Sequence, residues 1–350
     1  MNTHLSSTDS AGSPASVQEL PTPSVIIDFD GLQRNISTMS RIHPGAQLRP
    51  HMKATKCTSL AKLQVEAGHL SFTCATPREM IGMAHAGLGT DLLLANETLD
   101  AARLGAMAKL QESSMITVAI DSDATLAAAA KAGIRNVLID VNVGLARCGV
   151  MPNLAGALAD DARKHGINVR GVMGYEGHLM MVSEKNERQA QVAESMMLLQ
   201  RAAKDVGGEI ISAGGTGTYD LHKNTGVTEI QAGSYSLMDT QYSQLNLPFE
   251  QAMWVVGTVI SSSTKWSVAD VGLKSLGMDH GNPSIEHQSV WFCSDEHTTF
   301  ATTSGKLPKI GSRIRVTPAH IDPTLAMHDV AWIVRGDEVI DRWSIDLRGW

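Results

Sequence analysis

His320 and Asp322, in the stretch from Thr317 to Thr324, carry side chains that could hold a metal ion. Residues two apart on an extended segment point to the same side of the chain, so the imidazole and the carboxylate would lie next to each other. Two such ligands leave coordination positions open, which suits a divalent ion that takes part in chemistry. Taken alone, the pair fits a solvated loop better than a metal site, so the rest of the sequence has to decide.

His51 and Lys53 are a second pair with chemical potential, at the end of the predicted strand Gln47–Met52. In a barrel of parallel strands the reacting groups gather where the strands end. A lysine in that position is costly unless it is paired, solvated or used covalently, as in a Schiff base. Without further context the position fits a structural lysine as well as a catalytic one.

Two glycine-rich segments stand at the other side of the predicted barrel mouth. Ala213–Thr218 follows the seventh predicted strand, and Gln231–Tyr235 lies on the eighth. Loops after the last two strands are where barrels bind phosphate through backbone N–H groups, although a tight turn explains the glycines equally well. The spacing does not fit a dinucleotide fingerprint. A lysine opposite a phosphate loop describes a pyridoxal phosphate site.

The elements that must position these residues alternate between strand and helix patterns from residue 47 to about residue 245. The predicted strands are Gln47–Met52, Leu70–Ala75, Asp91–Ala95, Ile116–Asp121, Val137–Val143, Val169–Tyr175, Ile210–Ala213 and Ile230–Tyr235. Predicted helices include Ser59–Ala67, Pro77–Ala86, Ala124–Ala132, Leu154–His165 and Glu184–Ala203. Eight strands alternating with helices predict a (β/α)8 TIM-type barrel, with a doubly wound sheet as the alternative.

A different pattern, of strands without intervening helices, begins near residue 248. The predicted strands there are Val255–Ser262, Val290–Asp295, Ile314–Thr317, Ala331–Val334 and Glu338–Ile345, with a hairpin turn at Arg335–Asp337. An additional strand, Ser24–Phe29, precedes the barrel. We therefore predict a disordered tail at residues 1–18, an N-terminal strand at 19–30 that joins the β domain, a barrel at 31–247 and a mostly β domain at 248–350.

The composition excludes several classes of protein. A formal net charge of -7 and a pI near 6.0 argue against nucleic-acid or anionic-membrane partners. The apolar runs are shorter than the ~18 residues needed to span a bilayer, and the N-terminus has no apolar segment typical of a signal peptide. Four scattered cysteines fit free thiols in a reducing cytoplasm. We expect a cytoplasmic protein that acts on a small molecule.

Taken together, the motifs resemble the D-threonine aldolase/D-serine dehydratase family, which is metal-activated and has an alanine-racemase-type (fold type III) barrel. The resemblance covers nearly all of residues 20–350. Its segments, in order, are Thr22–Asp28, Arg49–Lys53, Asp140–Gly144, Arg147–Gly149, Gly171–Gly177, Gly214–Gly217, Glu229–Tyr235, Met238–Asp239, Asp270–Lys274, Asp295–His297 and Pro318–Thr324.

The resemblance implies a set of cofactor contacts. Lys53 would bind pyridoxal phosphate covalently, Arg147 would sit near its phenolic oxygen, and Tyr175 would lie near its ring. The phosphate would be bound by a set of small residues and one tyrosine, namely Gly214, Gly215, Thr216, Gly217, Gly233, Ser234 and Tyr235. Fold type III sites usually borrow residues across a subunit interface, so the resemblance also implies a homodimer.

The resemblance further implies that His320 and Asp322 ligate a divalent metal, which could be Mn²⁺, Mg²⁺, Co²⁺ or Zn²⁺. His51 and His178 are the candidate bases, alongside Lys53 as the catalytic lysine. The chain departs from the family at two places. Thr55 stands where a second histidine often follows the lysine, and Met181 stands where several aldolases carry a histidine.

Three functions remain open at this point. The His-x-Asp pair favours an aldolase that cleaves D-3-hydroxy amino acids, such as D-threonine, to glycine and an aldehyde. The alternative is a D-serine or D-3-hydroxyaspartate dehydratase that gives a 2-oxo acid and ammonia. A non-catalytic pyridoxal phosphate carrier fits less well, because carriers of that kind resemble a bare barrel. A two-base racemase is disfavoured because all four tyrosines precede the β domain.

Overall fold

The computed structural model describes residues 14–350, which form a barrel and a second, mostly β unit. The chain enters through strand β1 (Ser24–Asp28) and helix α1 (Phe29–Ile42). The Asp28 side chain caps α1 by accepting a hydrogen bond of 2.8 Å from the amide of Gly31. Among the described residues, no helix is both long and apolar enough to cross a membrane.

The predicted disordered tail, residues 1–18, lies mostly outside the described residues. Its last residues are ordered, which corrects the predicted boundary. Ser16 forms a bridge with Glu338, and the amide of Val17 donates to the carbonyl of Asp337 at 2.9 Å. Val17 is buried, so its apolar side chain is the physical reason that order begins before residue 19.

The barrel contains seven parallel strands that pair in chain order. They are β2 (Ser71–Cys74), β3 (Asp91–Leu94), β4 (Met115–Ile120), β5 (Asn136–Asp140), β6 (Asn168–Met173), β7 (Ile210–Ala213) and β8 (Glu229–Ile230). The helices around them are α2 (Thr58–Glu66), α3 (Pro77–His85), α4 (Ala101–Lys109), α5 (Asp123–Ala132), α6 (Ala155–Lys164) and α7 (Lys185–Val206). The predicted alternation of strands and helices is confirmed.

The predicted first strand, Gln47–Met52, is extended but irregular. Leu48 forms a parallel bridge with Ile230 of β8, and His51 forms one with Thr73 of β2. The segment therefore fills the gap between the first and last strands and closes the ring. It contains a proline, which has no N–H to donate, and this explains why the ladder is interrupted there.

The second unit is a sheet with one short helix. Its elements are β9 (Met253–Ser262), β10 (Ser267–Ala269), β11 (Ser284–Ile285), β12 (Gln288–Cys293), β13 (Thr298–Thr302), β14 (Arg313–Thr317), α8 (Ile321–Met327), β15 (Val330–Arg335) and β16 (Glu338–Ser344). Strand β1 lies inside this sheet. Ile27 is opposite Met253 of antiparallel β9 and Ile333 of parallel β15.

The structure differs from the prediction at His320 and Asp322, because the short helix α8 begins between them. The stretch was treated as extended throughout, but only His320 is extended, with φ of -148°. Asp322 lies in the first turn of α8, and Pro323 follows it where a missing N–H does no harm. The two side chains come together because the chain turns into a helix between them, not because they share a face of a strand.

The end of the barrel opposite the strand carboxyl ends is closed by buried charges. Arg49, with 2% of its side chain exposed, contacts Asp91 at 3.1 Å and Glu229 at 2.8 Å. Arg170 contacts the same Asp91 carboxylate at 2.8 Å. Charges in this part of a barrel serve stability rather than chemistry. The open end is therefore left for the site.

Candidate functional site

A cavity of about 420 Å³ lies between the open end of the barrel and the second unit. Lys53, Arg147 and Tyr175 line it from the barrel, and His320 and Asp322 line it from the second unit. The strands of the barrel end at this cavity, which is where parallel barrels collect reacting groups. Most of the residues predicted from the sequence are therefore in one place.

Lys53 extends into the cavity from a short 3-10 turn, Met52–Ala54. Its Nζ atom is 3.8 Å from Oδ2 of Asp322 and 5.7 Å from the centroid of the Tyr175 ring. Burial lowers the pKa of Lys53, but the nearby carboxylate of Asp322 and Tyr175 outweigh it and raise the pKa above its usual value. The amine is thus held beside the predicted metal pair.

His51 lines the same cavity. Its Nδ1 atom accepts a long hydrogen bond of 3.4 Å from the amide of Lys53. Burial holds the pKa of His51 well below its usual value, and the charges of Lys53 and Lys56 act in the same direction. The imidazole is therefore neutral near pH 7.

Lys56 and Thr55 point to different surroundings from Lys53. The Nζ atom of Lys56 forms an ion pair with Glu79, whose side chain is fully buried. Thr55, at the position of the frequent second histidine, is also buried. These neighbours of Lys53 are structural, and they leave Lys53 as the lysine of this segment that reaches the cavity.

His178 does not lie where a cavity base would have to be. Its ring packs beside Gly144, so that a Cβ atom on that glycine would come within 2.9 Å of it, and the residue is exposed. Met180 and Met181 line the cavity instead. This part of the wall is therefore apolar, and His51 remains as the predicted base that faces the cavity.

Arg147 and Tyr175 lie against each other at the edge of the cavity. The guanidinium carbon of Arg147 is 5.4 Å from the centroid of the Tyr175 ring. Burial raises the pKa of Tyr175 above its usual value, although the positive charge of Lys53 opposes the shift. The phenol is therefore protonated near pH 7 and provides a flat wall with a polar end.

The predicted phosphate loop lines the side of the cavity formed after β7 and β8. The lining residues are Gly214, Gly215, Thr216, Gly233 and Ser234. None of the hydrogen bonds among residues 14–350 uses the amide N–H groups of Thr216, Gly233 or Ser234. Amides without an acceptor in residues that line a cavity are donors that an anion could use.

Glu176 holds this loop from behind. Its carboxylate accepts hydrogen bonds from the amide of Gly214 at 3.2 Å and the hydroxyl of Thr218 at 2.6 Å, and it contacts His222 at 3.0 Å. Burial by itself raises the pKa of Glu176, but His222 and Thr218 outweigh it and hold the pKa below its usual value. An ionised carboxylate thus fixes both ends of the loop.

Two residues of the predicted phosphate set do not line the cavity. The hydroxyl of Tyr235 accepts a hydrogen bond of 3.1 Å from Gln64 in the core, and the residue is 0% exposed. A Cβ atom at Gly217 would come within 2.3 Å of the carbonyl oxygen of Met180, so this glycine is needed for packing. Tyr235 contributes through its amide, which donates to the hydroxyl of Thr216 at 3.0 Å and so orients that side chain.

The predicted metal pair is supported by a third residue. Nε2 of His320 is 3.7 Å from Oδ1 of Asp322, while Nδ1 of His320 is 2.8 Å from Oδ2 of Asp279. A carboxylate on Nδ1 fixes the ring and leaves Nε2 to face a metal ion. Ser234 donates to Asp322 at 3.4 Å, which links the metal pair to the phosphate loop.

Asp279 and His280 were not identified from the sequence. The His280 ring stacks on His320 with centroids 4.1 Å apart, and His280 lines the cavity together with Gln241 and Tyr242. Asp279 and His280 lie about 40 residues before His320 in an irregular segment, so no periodic pattern relates them. Their adjacent acidic and imidazole side chains were the only signal available.

The residues present fit the two groups implied by the sequence. Free amides, an amine and an aromatic wall in one cavity match the phosphate, aldehyde and ring of pyridoxal phosphate. An imidazole nitrogen and a carboxylate, with the imidazole fixed from behind, match a divalent metal with open positions.

Two known family domains match this chain, and the boundary between the two matches lies near the boundary between the barrel and the second unit. The alanine racemase N-terminal domain matches residues 27–241, and the putative serine dehydratase domain matches residues 252–334. Both matches correspond to structural units described above, the barrel and most of the second sheet.

Individual relatives match over nearly the full length. The chain is 32% identical to D-threonine aldolase of Arthrobacter sp, over 94% of this chain and 93% of the relative. It is 29% identical to 3-hydroxy-D-aspartate aldolase of Paracoccus denitrificans (strain Pd 1222), over 95% and 93%. The crystal structure of D-threonine aldolase from Filomicrobium marinum superposes with a TM-score of 0.90 at 31% identity, over 96% of this chain and 98% of that one.

Proposed function

This chain belongs to the alanine-racemase-like family that includes D-threonine aldolase, and from that membership we propose that it is a lyase that cleaves D-3-hydroxy amino acids to glycine and an aldehyde. We further propose that it uses pyridoxal phosphate and a divalent metal. The relatives named for D-threonine and 3-hydroxy-D-aspartate support a D-amino acid with a hydroxyl on the carbon next to Cα.

One observation carries the proposal: the Lys53 amine and the proposed metal ligands His320 and Asp322 line the same cavity. Nζ of Lys53 is 3.8 Å from Oδ2 of Asp322, which is itself 3.7 Å from Nε2 of His320 through its other oxygen. An aldolase needs to hold the amino group and the 3-hydroxyl of one small substrate at the same time. This separation supports the proposal, because groups this close could act on substituents of adjacent carbon atoms.

The cavity residues form two sets, one that would bind the cofactor and one that would bind the metal. Lys53, Arg147, Tyr175 and the free loop amides would bind pyridoxal phosphate, and His320 and Asp322 would bind the metal. When bound, the cofactor supplies an electron sink, and the metal supplies a Lewis acid that lowers the pKa of a hydroxyl group.

Cleavage requires a base that accepts the proton of the 3-hydroxyl, and a side chain of this protein would provide it. His51 is neutral, lines the cavity and lies next to Lys53. We propose that a nitrogen of its ring accepts the proton of the 3-hydroxyl during cleavage. His178 packs outside the cavity lining, so the proposal rests on His51.

Product analysis tests the activity directly. The holoenzyme is incubated with D-threonine, D-phenylserine, D-3-hydroxyaspartate and D-serine, with and without a chelator, and the products are identified. Glycine plus an aldehyde, lost with the chelator and restored by Mn²⁺, is the expected result. A 2-oxo acid plus ammonia would assign the dehydratase instead, and no turnover with intact cofactor binding would assign the carrier.

We also propose that the enzyme is a homodimer, because fold type III sites usually contain residues from both subunits. Light scattering coupled to size-exclusion chromatography should give twice the 37.4 kDa mass of the chain. A monomer that retains full activity would contradict this part of the proposal.

A further inference from the structure

Four potential ligands of a cation cluster at the barrel mouth, apart from His320 and Asp322. Ligand atoms of Glu97, Asp121 and Cys148 all lie within 4.8 Å of one another. The carboxyl group of Asp140 lies within hydrogen-bonding reach of Glu97. Glu97, Asp121 and Asp140 follow or end the neighbouring strands β3, β4 and β5, so the barrel itself sets their spacing.

The loop after β5 folds back to bring the thiol to the carboxylates. Val141 and Val150 form a parallel bridge, and the amide of Gly149 donates to Oδ2 of Asp121 at 3.2 Å. Gly149 has φ of +107°, and a Cβ atom there would come within 2.5 Å of the backbone nitrogen of Asn142. Only glycine allows this approach, which places Cys148 beside the acidic side chains.

The positive charge beside the cluster, that of Arg147, does not outweigh burial and the neighbouring carboxylates. Asp140 is only 6% exposed, and its carboxylate takes part in none of the hydrogen bonds from donors among residues 14–350. Oε1 of Glu97 is buried and has no hydrogen-bond partner in that part of the chain. The nearest cation, Arg147, is exposed and directed to the Tyr175 ring. Buried acidic groups in contact with each other require a proton or a cation between them.

Two members of the cluster, Asp140 and Cys148, favour the protonated form without a cation. Burial raises the pKa of Asp140 well above its usual value, with Glu97 adding to the shift. Burial likewise raises the pKa of Cys148 to about 11, again with help from Glu97. A divalent cation would displace these protons, as metal ions do when they bind thiols and carboxyl groups.

We propose that Glu97, Asp121, Asp140 and Cys148 form a second divalent-cation site, with Zn²⁺ as the best match. Zn²⁺ combines thiolate and carboxylate ligands in a closed tetrahedron, whereas Mg²⁺ and Ca²⁺ take oxygen ligands only. Zn–S and Zn–O distances of roughly 2.3 and 2.0 Å put tetrahedral ligands about 3.5 Å apart, so the ligand atoms, now within 4.8 Å of one another for Glu97, Asp121 and Cys148, would move closer together on binding. Occupation would fix the loop that carries Arg147. This site does not depend on the proposed activity.

Metal content of the holoenzyme tests the proposal. Protein stripped with a chelator is reloaded with Zn²⁺, desalted and analysed by mass spectrometry for Zn²⁺ bound per chain. The Asp121→Asn/Cys148→Ser variant should bind one equivalent fewer than the wild type, and the same loss should appear in the His320→Ala/Asp322→Ala background. No loss in the Asp121→Asn/Cys148→Ser variant overturns the inference. Loss there, with none from His320→Ala/Asp322→Ala, supports this site and counts against the metal centre of the proposed aldolase.

Protection of the Cys148 thiol from alkylation tests the site in the wild-type protein. Cys148 and Cys293 are both partly exposed, but Cys293 has a threonine hydroxyl, not carboxylates, as its neighbour. Zn²⁺ should slow alkylation of Cys148 by about tenfold or more while leaving Cys293 unchanged, as followed by peptide mass spectrometry. Equal alkylation rates of Cys148 with and without Zn²⁺ would overturn the site.

Discussion

At the scale of single residues, Lys53 and Lys56 are three positions apart but have different environments. Lys53 opens onto the cavity, with 40% of its side chain exposed, whereas Lys56 neutralises the fully buried Glu79. The sequence could suggest a special lysine in this segment because a strand ends there. The structure adds the reason for choosing Lys53 as the proposed cofactor lysine, because the Lys56 amine is already paired with Glu79.

We predict opposite consequences for removing the two amines. Lys53→Ala should abolish the visible absorption band of bound pyridoxal phosphate while leaving the melting temperature of the apoprotein nearly unchanged. Lys56→Ala should retain the band and lower the free energy of unfolding by about 3 kcal/mol, since it leaves a buried carboxylate unpaired. Spectra and urea unfolding of both variants check this. Loss of the band in Lys56→Ala alone would reverse the assignment.

Asp279, which was not identified from the sequence, contacts the predicted metal ligand His320. Its carboxylate is 2.8 Å from Nδ1 of His320 and would therefore leave Nε2 to face the proposed metal. We predict that Asp279→Asn weakens metal binding by about 10- to 100-fold, with a smaller effect on cofactor binding. Calorimetric titration with Mn²⁺ measures it. Asp295→Asn, which removes an exposed partner of Lys274, is the control and should leave the affinity unchanged.

At the scale of elements, the sequence predicted regular strands and helices well and irregular segments poorly. The strands β2 to β7 lie within a few residues of their predicted bounds, because buried parallel strands are continuous apolar runs. Helix α8 was missed because a seven-residue element with a proline has no helical period to detect. Tyr235 was included in the predicted phosphate set, but its side chain points to Gln64 in the core, a contact between residues distant in sequence.

The closed end of the barrel predicts how stability depends on pH. Burial alone would raise the pKa of Asp91, but hydrogen bonds from Arg170 and Arg49 outweigh it and lower the pKa below its usual value. The native state therefore binds fewer protons at this carboxyl than the unfolded state. The resulting stability is fully present above the ordinary pKa of 3.8 and is lost as the pH falls through the lowered one.

We predict that Asp91→Asn lowers stability near pH 7 by about 3 to 5 kcal/mol, because two largely buried guanidinium groups lose their shared partner. The variant should also show a shallower fall in stability below pH 4 than the wild type. Urea unfolding between pH 3 and pH 7 measures both effects. Asp160→Asn on α6, which removes an exposed pair with Arg163, should change stability by less than about 1 kcal/mol. An unchanged acid slope in Asp91→Asn would contradict the assignment.

At the scale of the whole molecule, the barrel and the second unit are joined by shared hydrophobic clusters. One cluster joins Leu32, Ala54 and Leu60 to Val255 and Ile321. We propose domain limits near residues 31 and 248, but the packing across them is continuous and the cavity is lined from both sides. The segment that carries His320 and Asp322 is held by this same core, since Ile321 and Leu325 of α8 belong to it.

The chain offers separate spectroscopic reports of its two units. All six tryptophans lie between residues 254 and 350, so intrinsic fluorescence follows the second unit, whereas absorption of the proposed cofactor at Lys53 follows the barrel. Because the core is shared, we predict that both signals change in one transition during urea unfolding.

Ile27→Ala, a truncation at a residue 2% exposed in the centre of the second sheet, should move both transitions together by about 2 to 5 kcal/mol. Ile260→Ala, at an exposed position of the adjacent strand β9, should move neither by more than about 0.5 kcal/mol. A fluorescence transition that shifts in Ile27→Ala while the absorption transition stays in place would show that the two units unfold independently. In that case the position of the metal pair relative to Lys53 would depend on docking of the units rather than on a common core.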